Sequence, residues 1–358
     1  MRSIYPSILE QIRNGSRCVL ATVVSTSGST PQKPGSSALF GKEGLLAGTV
    51  GGGLLEGEVQ HLAANILISE TSDLVYFNLD SDEGEEGAIC GGEANVLVDA
   101  NPATHMKALV AMEKSLAMRK QGFLLTVVNK KLEQGRFIAR YWLEGNVDEE
   151  LAPDLDPSVK DVIPGHLKQA IRYGFTEVVF KPTGRGATEM AYLEHMKPMP
   201  RLLIAGAGHV GRALAHLGAL LEFEVTVVDD RQEFANPVNI PDANHLVVKE
   251  VGAAMIELGK GPDTYIVIVT RGHQHDAEAL KPCIGFNVAY IGMIGSTHKV
   301  AVMKKQFLKN QWVTPEQWSD IHTPIGIAIG SKTVEEIAIS IAAQLVEVRN
   351  RKIASHAE

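Results

Sequence analysis

The sequence predicts an α/β protein of two domains, the second of them a Rossmann-type domain with a doubly wound parallel sheet. Its length of 358 residues exceeds what one hydrophobic core usually serves. Its second half also runs from strand to glycine-rich turn, helix and second strand between residues 201 and 230. Pro198 and Pro200 interrupt both patterns, so we expect an N-terminal α/β domain with a mixed sheet at 1–197 and the Rossmann-type domain at 198–358.

The glycine-rich turn has the spacing of a dinucleotide-binding fingerprint, with acidic residues about 20 positions further on. Its characteristic residues are Gly206, Gly208, Gly211, Asp229 and Asp230. In this fingerprint the first glycine permits a tight turn, the second lets a pyrophosphate approach the backbone, and the third lets the helix pack against the strand. The helix N-terminus supplies N–H groups to phosphates, and the acid accepts a ribose hydroxyl. The motif therefore predicts a nucleotide site, and a Rossmann scaffold with another use is the alternative.

Further apolar runs support the same fold. The segments YIVIVTRG (265–272) and VAYIGMIG (288–295) are typical of buried parallel strands, and IGIAIG (325–330) predicts a last short strand. Arg271, near the end of the first of these segments, and His273, just after it, are expected on the polar rim of the nucleotide site. His273 and His275 are alternatively spaced to bind a metal.

The residues do not distinguish NAD from NADP as the nucleotide. Asp229 and Asp230 disfavour a 2′-phosphate by charge repulsion, whereas Arg231 could offset that repulsion.

The first half contains a second glycine-rich turn, in which Thr49, Gly51, Gly52 and Gly53 lead into a helix. Consecutive glycine N–H groups can converge on one phosphate, and the helix dipole adds favourable potential. Glu56 lies in the first helical turn, where it could also bind the N–H groups of a pterin or purine. The alternative is a tight turn that only requires small residues.

Cys90 lies between an acidic run and a pair of glycines, in the stretch EEGAICGGEANVLVD. The glycines would expose the sulfur and favour the thiolate, whereas nearby acids would raise the thiol pKa. Such a thiol suits metal coordination or sulfur transfer, and the alternative is a small residue in a turn. Cys18 and Cys283 are expected in the core.

Composition excludes several classes of protein. A net charge of −8 argues against a nucleic-acid surface as the main function. We find no apolar run of about 18 residues and no apolar signal segment, which predicts no membrane span. Three cysteines are too few for a disulfide framework, so we expect a cytoplasmic protein with reduced thiols. The acidic, proline-containing segment 146–164 predicts a surface loop.

Taken in order, several segments resemble the XdhC/CoxI family of xanthine dehydrogenase accessory factors. They are GSTPQKPGSS, GTVGGGLLEGEV, the Cys90-Gly-Gly stretch, GAGHVGRALAHLG with VVDDR, TRGHQHDAEAL, YIGMIGS and HTPIGIAIGSKTVEEIAISI. The resemblance runs from about residue 8 to residue 349 and is weakest at 101–197. His209, inside the glycine fingerprint, also fits the family pattern.

The resemblance implies a maturation factor for the molybdenum cofactor rather than a catalyst. Such a protein would bind the cofactor, allow its sulfuration by a cysteine desulfurase, and deliver it to a molybdenum hydroxylase such as xanthine dehydrogenase. Matched onto the motifs of this chain, the cofactor phosphate would lie on the Thr49–Gly53 turn and the pterin near Glu56. Cys90 would contact molybdenum or take part in sulfur transfer.

Two other interpretations stay open. The residues alone favour an NAD(P)-dependent oxidoreductase, with His273 or His275 as a general acid. A protein that only docks desulfurase and client would instead present an exposed apolar patch. We also expect a homodimer, because a transfer site built on loops often gains shielding at an interface.

Overall fold

The computed structural model describes residues 4–30, 32–79, 92–130, 135–144, 155–180 and 188–355. The chain forms two compact units, one ending at Pro198 and the other beginning at Met199. None of the helices within the described ranges has the length and apolarity that crossing a bilayer requires.

The first unit contains five described α-helices and nine strands. In chain order these are α1 (Tyr5–Arg13), β1 (Val19–Gly28), β2 (Ser37–Gly41), β3 (Gly44–Gly48), α2 (Gly53–Ser69), β4 (Asp73–Asn78), β5 (Gly92–Asp99), α3 (Met106–Ala117), β6 (Gly122–Lys130), β7 (Arg136–Glu144), α4 (Pro157–Lys160), α5 (Ile163–Tyr173), β8 (Phe175–Glu177) and β9 (Thr188–Met196).

The strands of the first unit form two sheets, in the orders β3-β2-β1-β5-β4 and β7-β6-β9-β8. Every strand pairing described in them is antiparallel, where the sequence had predicted a mixed sheet. Short connections, such as the one between β6 and β7, suit antiparallel neighbours, because a parallel pair requires a crossover of a dozen or more residues.

The two sheets pack face to face between helices. Residues of both sheets meet in one buried cluster, which contains Val24, Leu97, Val128, Ile138 and Tyr192. The outer face of the first sheet is covered by α2 and the outer face of the second by α4 and α5.

The prediction of a surface loop at 146–164 is partly wrong. Residues 145–154 lie outside the described residues, but α4 and α5 begin within the remainder, where Val159 and Ile163 are fully buried. Both side chains fill the core below the second sheet. Burial of these apolar side chains outweighs the local turn preference of the surrounding Pro and Asp residues.

The second unit begins at the strand before the fingerprint glycines. Its elements are β10 (Arg201–Ala205), α6 (His209–Leu220), β11 (Glu224–Asp229), β12 (His245–Val248), α7 (Val251–Leu258), β13 (Gly261–Ile268), α8 (His273–Leu280), β14 (Val288–Met293), α9 (Thr297–Lys309), α10 (Pro315–Ser319) and α11 (Val334–Ser355).

The sheet of the second unit is parallel, with the strand order β12-β11-β10-β13-β14. Leu202 and Ile204 of β10 face the cluster with α6 and α11, whereas Leu203 and Ala205 face α7, α8 and α9. Helices therefore cover both faces, which confirms the predicted doubly wound Rossmann-type domain. The strand order reverses between β10 and β13, where open α/β sheets bind their ligands.

The predicted strand at 325–330 is not formed. The extended residue beside β14 is instead His322, which bridges to Gly292 and whose carbonyl accepts the N–H of Met293 at 3.0 Å. Gly326 and Gly330 have φ angles of +96° and +75°, which interrupt an extended backbone. The two cysteines expected in the core, Cys18 and Cys283, are both buried.

Candidate functional site

The first glycine turn, residues 49–53, connects β3 to α2. Its three glycines, Gly51, Gly52 and Gly53, have φ angles of +138°, +68° and +56°. L side chains rarely adopt such angles, so the backbone conformation itself calls for glycine here. Among the described residues, a Cβ placed on Gly52 or Gly53 would meet no atom within 4 Å. These two residues therefore face open space rather than a packed core.

Glu56 folds back from the first turn of α2 onto the glycine turn. Its Oε2 accepts the Thr49 hydroxyl at 2.5 Å and the Val50 N–H at 3.3 Å. The Thr49 Oγ1 in turn accepts the Gly51 N–H at 3.1 Å. Part of the turn is thus braced by its own carboxylate, at donors that a phosphate could otherwise use.

The remaining donors of the turn are the N–H groups at the start of α2. Within the described part of the chain, the N–H groups of Gly52 and Gly53 have no hydrogen-bond acceptor. Helix N-termini with free N–H groups attract anions. The turn therefore offers anion-binding donors on one side and the Glu56 carboxylate, an acceptor for N–H donors, on the other.

Cys90 lies outside the described residues, so its surroundings are not part of this geometry. The next described residue, Gly92, opens β5 with a φ of +149°. A Cβ there would stand 2.6 Å from the carbonyl oxygen of Ser27. Gly92, the first residue described after Cys90, is therefore packed tightly against β1.

The second glycine turn, residues 206–211, lies at the carboxyl end of β10. Gly206 has a φ of +117°, and a Cβ there would stand 2.5 Å from the Val269 carbonyl oxygen. A Cβ on Gly211 would stand 1.9 Å from the Gly206 carbonyl oxygen, whereas one on Gly208 would meet no described atom within 4 Å. Crowding thus requires Gly206 and Gly211, and Gly208 leaves an open approach to the backbone.

Asp229, at the end of β11, is 4% exposed and braces this turn. Its Oδ2 accepts the Ala207 N–H at 2.8 Å and Arg231 Nη2 at 3.0 Å. Its Oδ1 accepts the backbone N–H of Arg231 at 3.1 Å and Nε at 2.8 Å. Burial raises the pKa of this carboxyl, but the hydrogen bonds from Arg231 and Ala207 outweigh burial and hold the pKa below its usual value.

Asp230 and Arg271 form an ion pair between two different strand ends. Arg271 Nη2 donates to Asp230 Oδ2 at 3.0 Å, and both side chains are more than two-fifths exposed. Asp230 follows β11 and Arg271 follows β13, and β10 lies between these strands. The sequence predicted both as site residues, and the structure brings them together.

Among the described residues, the histidines at this end of the sheet have no further ligands that would complete a metal site. His273 and His275 lie in the first turn of α8, and His275 Nδ1 lies 3.0 Å from Glu278 Oε2. In the ranges that the structure describes, no group of three or more His, Cys, Asp or Glu could hold a metal ion. His209 is exposed at the start of α6.

A buried charge pair at the same edge escaped the sequence reasoning. Asp276 is fully buried, accepts the Thr270 hydroxyl at 2.5 Å, and forms an ion pair with Lys299. The sequence contained one signal for this pair, which is a lysine in the first turn of α9. A positive charge at that position opposes the helix dipole. Such a lysine indicates a nearby anionic partner.

The fold and the two glycine turns define a two-unit chain whose second unit is a Rossmann-type domain. The sequence pattern of the XdhC Rossmann domain matches residues 202–345. The pattern of the XdhC and CoxI family matches residues 11–78. The chain belongs to the XdhC and CoxI family, which confirms the resemblance seen in its motifs.

Two individual proteins and one solved structure are similar to this chain. The chain is 26% identical over 336 residues to a Bacillus subtilis protein named as a probable subunit of xanthine dehydrogenase, covering 93% of each. It is 39% identical over 152 residues to the protein YqeB of Escherichia coli, which covers 42% of this chain and 28% of that relative's length. A crystal structure described as a xanthine dehydrogenase from Bacillus halodurans superposes with a TM-score of 0.74 at 23% identity, covering 97% of this chain and 96% of the other. That structure shares the fold along nearly the whole chain.

Proposed function

We propose that this protein matures a molybdenum hydroxylase of the xanthine dehydrogenase type. It binds the molybdenum cofactor as cargo, supports its sulfuration and delivers it to the enzyme. The observation that carries the proposal is membership of the XdhC and CoxI family, with patterns matched in both units. The similarity to a protein of matching length named as a probable xanthine dehydrogenase subunit supports the choice of client.

The first glycine turn has a donor set that fits the cofactor's polar ends. The free N–H groups of Gly52 and Gly53 suit the phosphate, and the open space beside them admits it. The Glu56 carboxylate suits the N–H donors of a pterin. Glu56 holds the Thr49 hydroxyl and the Val50 N–H, so binding of the pterin would draw it away from the turn and release both donors.

The thiol chemistry of the proposal falls to Cys90. Burial raises the pKa of Cys18 to about 11, with Asp99 adding to the effect, and raises the pKa of Cys283 to about 12. Neither of these thiols forms the thiolate that binds metals and transfers sulfur. Cys90 is the remaining cysteine of the three in the sequence. In this proposal it contacts molybdenum or carries sulfur from a cysteine desulfurase.

The proposed setting is a cytoplasmic homodimer that meets a desulfurase and a client hydroxylase in turn. The cofactor, when bound, brings the oxygen-transfer centre that the client needs. The chain's own part is to hold the phosphate and pterin and to present the metal end to Cys90.

The first experiment is anaerobic incubation with molybdenum cofactor, followed by gel filtration and measurement of protein-bound molybdenum and pterin. We expect stoichiometric retention by the wild type and loss of molybdenum from Cys90→Ala. Cys283→Ser is the matched control, because its hydroxyl can replace the thiol that donates to the Ala279 carbonyl at 3.2 Å. The control should retain cofactor like the wild type. Absence of retention by the wild type would contradict the proposal.

A second candidate function is nucleotide binding, with NAD(P)-dependent oxidoreduction as its enzymatic form. The observation that favours it is the second glycine turn at the reversal of strand order, with an open approach at Gly208. In that case His273, exposed in the first turn of α8, is the candidate general acid. NADH binding measured by fluorescence, together with turnover that Cys90→Ala leaves intact, would favour this function over cofactor delivery.

A further inference from the structure

We propose that the Asp230–Arg271 ion pair opens when a dinucleotide binds the second unit, and that its two members then hold different parts of the ligand. Arg271 moves to the pyrophosphate, and Asp230 accepts the hydroxyls of the adenine ribose. This inference rests on nucleotide binding by the second glycine turn and is independent of cofactor delivery by the first unit.

The position of the pair is the first argument. The Gly206 N–H donates to the Val228 carbonyl at 2.8 Å, and the Val269 N–H donates to the Ala205 carbonyl at 2.9 Å. The turn therefore runs between the ends of β11 and β13, and the Arg271–Asp230 contact connects the residues that follow those two strands. A pyrophosphate on the turn would lie in the region that this contact spans.

The acids at the end of β11 differ in what they can still accept. A carboxylate has about four lone-pair sites, and Asp229 uses them for Ala207 N–H and three donors of Arg231. Asp230 is 42% exposed, accepts from Arg271, and lies 3.8 Å from Arg231 Nε. Asp230 is therefore the acid that can take ribose hydroxyls, while Asp229 holds the turn in shape.

Arg231 and Arg271 likewise differ in whether they can take a new partner. Arg231 is paired through two of its nitrogens with Asp229, and its guanidinium lies 3.8 Å from the centre of the Phe234 ring. Arg271 is 45% exposed and has one exposed acidic partner. Exposed ion pairs contribute little to stability, so this contact can be exchanged at low cost. A guanidinium also matches the geometry of phosphate oxygens.

This exchange also selects the nucleotide. Asp230 beside the ribose repels a 2′-phosphate, and Arg231 is held by Asp229 and does not offset that repulsion. The second unit is thus expected to take NAD(H) rather than NADP(H).

Calorimetric titration of the full chain with NADH and NADPH tests the role of Asp230 in nucleotide selection. The wild type should prefer NADH by at least about tenfold, and Asp230→Asn should reduce that preference severalfold. The control is Asp242→Asn, which removes the same charge from an exposed carboxylate paired with His216 at 3.0 Å. Asp242 precedes β12 and therefore lies at the amino ends of the parallel strands, whereas the glycine turn lies at their carboxyl ends. This variant should bind like the wild type.

Arg271→Gln tests the exchange with two probes, ADP-ribose and adenosine. ADP-ribose should bind at least about tenfold more weakly, because it loses a pyrophosphate contact. Adenosine has no phosphate, and it should bind as well or more tightly, because Asp230 no longer has a competing partner. Equal weakening of both probes, or an unchanged NADH preference in Asp230→Asn, would overturn the exchange while nucleotide binding stands. Failure of the wild type to bind any of the four probes would overturn nucleotide binding itself, and the exchange with it.

Discussion

A Cβ atom on Gly211 would stand 1.9 Å from the carbonyl oxygen of Gly206. Helix α6 therefore lies against the second glycine turn with no room for any side chain at this position. Replacement by alanine forces the helix away from the turn, and overpacking of this kind typically costs about 1–3 kcal/mol. We expect Gly211→Ala to lower the free energy of unfolding by that amount, measured by urea titration.

Gly208→Ala is the matched control for that prediction. Gly208 has a φ of −72°, and its Cβ would meet no atom within 4 Å. Its cost should stay below about 1 kcal/mol, which is the usual effect of alanine at the first position before a helix. Nucleotide binding should nevertheless weaken, because the methyl group fills the approach to the backbone. Equal destabilisation by both variants would contradict the packing argument.

The buried pair between Asp99 and Arg140 gives a prediction for the first unit. Arg140 donates to Asp99 Oδ2, and His105 Nε2 lies 3.2 Å from the same oxygen. Both charged side chains are almost fully buried, at 3% and 2% exposed. Arg140→Met leaves the buried Asp99 charge without its guanidinium partner, and we expect a loss of about 3–5 kcal/mol in the free energy of unfolding.

The double variant Asp99→Asn with Arg140→Met should recover part of that loss, because neither of the two positions then carries a buried charge. The introduced amide keeps an oxygen at the position of Asp99 Oδ1, which accepts the Asn101 N–H at 3.0 Å in the wild type. Chemical denaturation of the three proteins checks this. A double variant less stable than Arg140→Met would show that charge pairing is not what stabilises this site.

The lowered pKa of His195 predicts that the first unit loses stability in acid. Burial lowers the pKa of this histidine to about 4, with Lys197 adding to the effect. The unfolded chain binds this proton near the ordinary pKa of about 6.5. Its contribution to stability is therefore full above pH 6.5 and is lost as the pH falls from about 6.5 to about 4, at up to about 1.4 kcal/mol per pH unit.

His195→Gln removes this titration while it retains a polar side chain. The difference in free energy of unfolding between wild type and variant should change with pH across that window and be constant above it. Urea titrations at several pH values measure the difference, and a pH-independent difference would contradict the assigned pKa. Glu194, whose pKa is raised by burial, is present in both proteins and cancels in the comparison.

We expect thiol reactivity to distinguish Cys90 from the other cysteines, because the sequence places it in a glycine-rich stretch. Burial suppresses the thiolate of Cys18 and Cys283, so neither should react with a thiol reagent while the protein is folded. The native wild type should then react at a single thiol, and native Cys90→Ala should not react. Unfolding should expose all three thiols of the wild type. Rapid native labelling of Cys90→Ala would contradict the burial of the other two.

Much of the second unit could be predicted from local sequence. The glycines at 206, 208 and 211 and the apolar runs around them report short-range needs of the backbone, such as a positive φ and close helix packing. The segment 325–330 misled the same reasoning, because its apolar residues resemble a strand while Gly326 and Gly330 turn the backbone. Periodicity alone does not register those angles.

In the first unit, more of the structure depends on long-range packing than in the second unit. Val159 and Ile163 lie in a stretch rich in Pro and Asp, and only the core below the second sheet explains their helices. The Glu56 carboxylate was expected near a bound pterin, and the fold closes it onto the hydroxyl of Thr49, which lies seven residues earlier on the strand side of the turn. Such side-chain contacts depend on rotamers that the sequence pattern does not specify.

The sequence by itself determined the family, the Rossmann-type second unit and the residues of both glycine turns, because each of these depends on residue type and spacing along the chain. Only the tertiary structure decided the division of labour at the end of β11. Asp229 and Asp230 are chemically identical neighbours, but one is buried against Ala207 and Arg231 while the other is exposed and paired with Arg271. Side chains of successive residues at a strand end point in different directions, and the partners they meet come from distant parts of the chain.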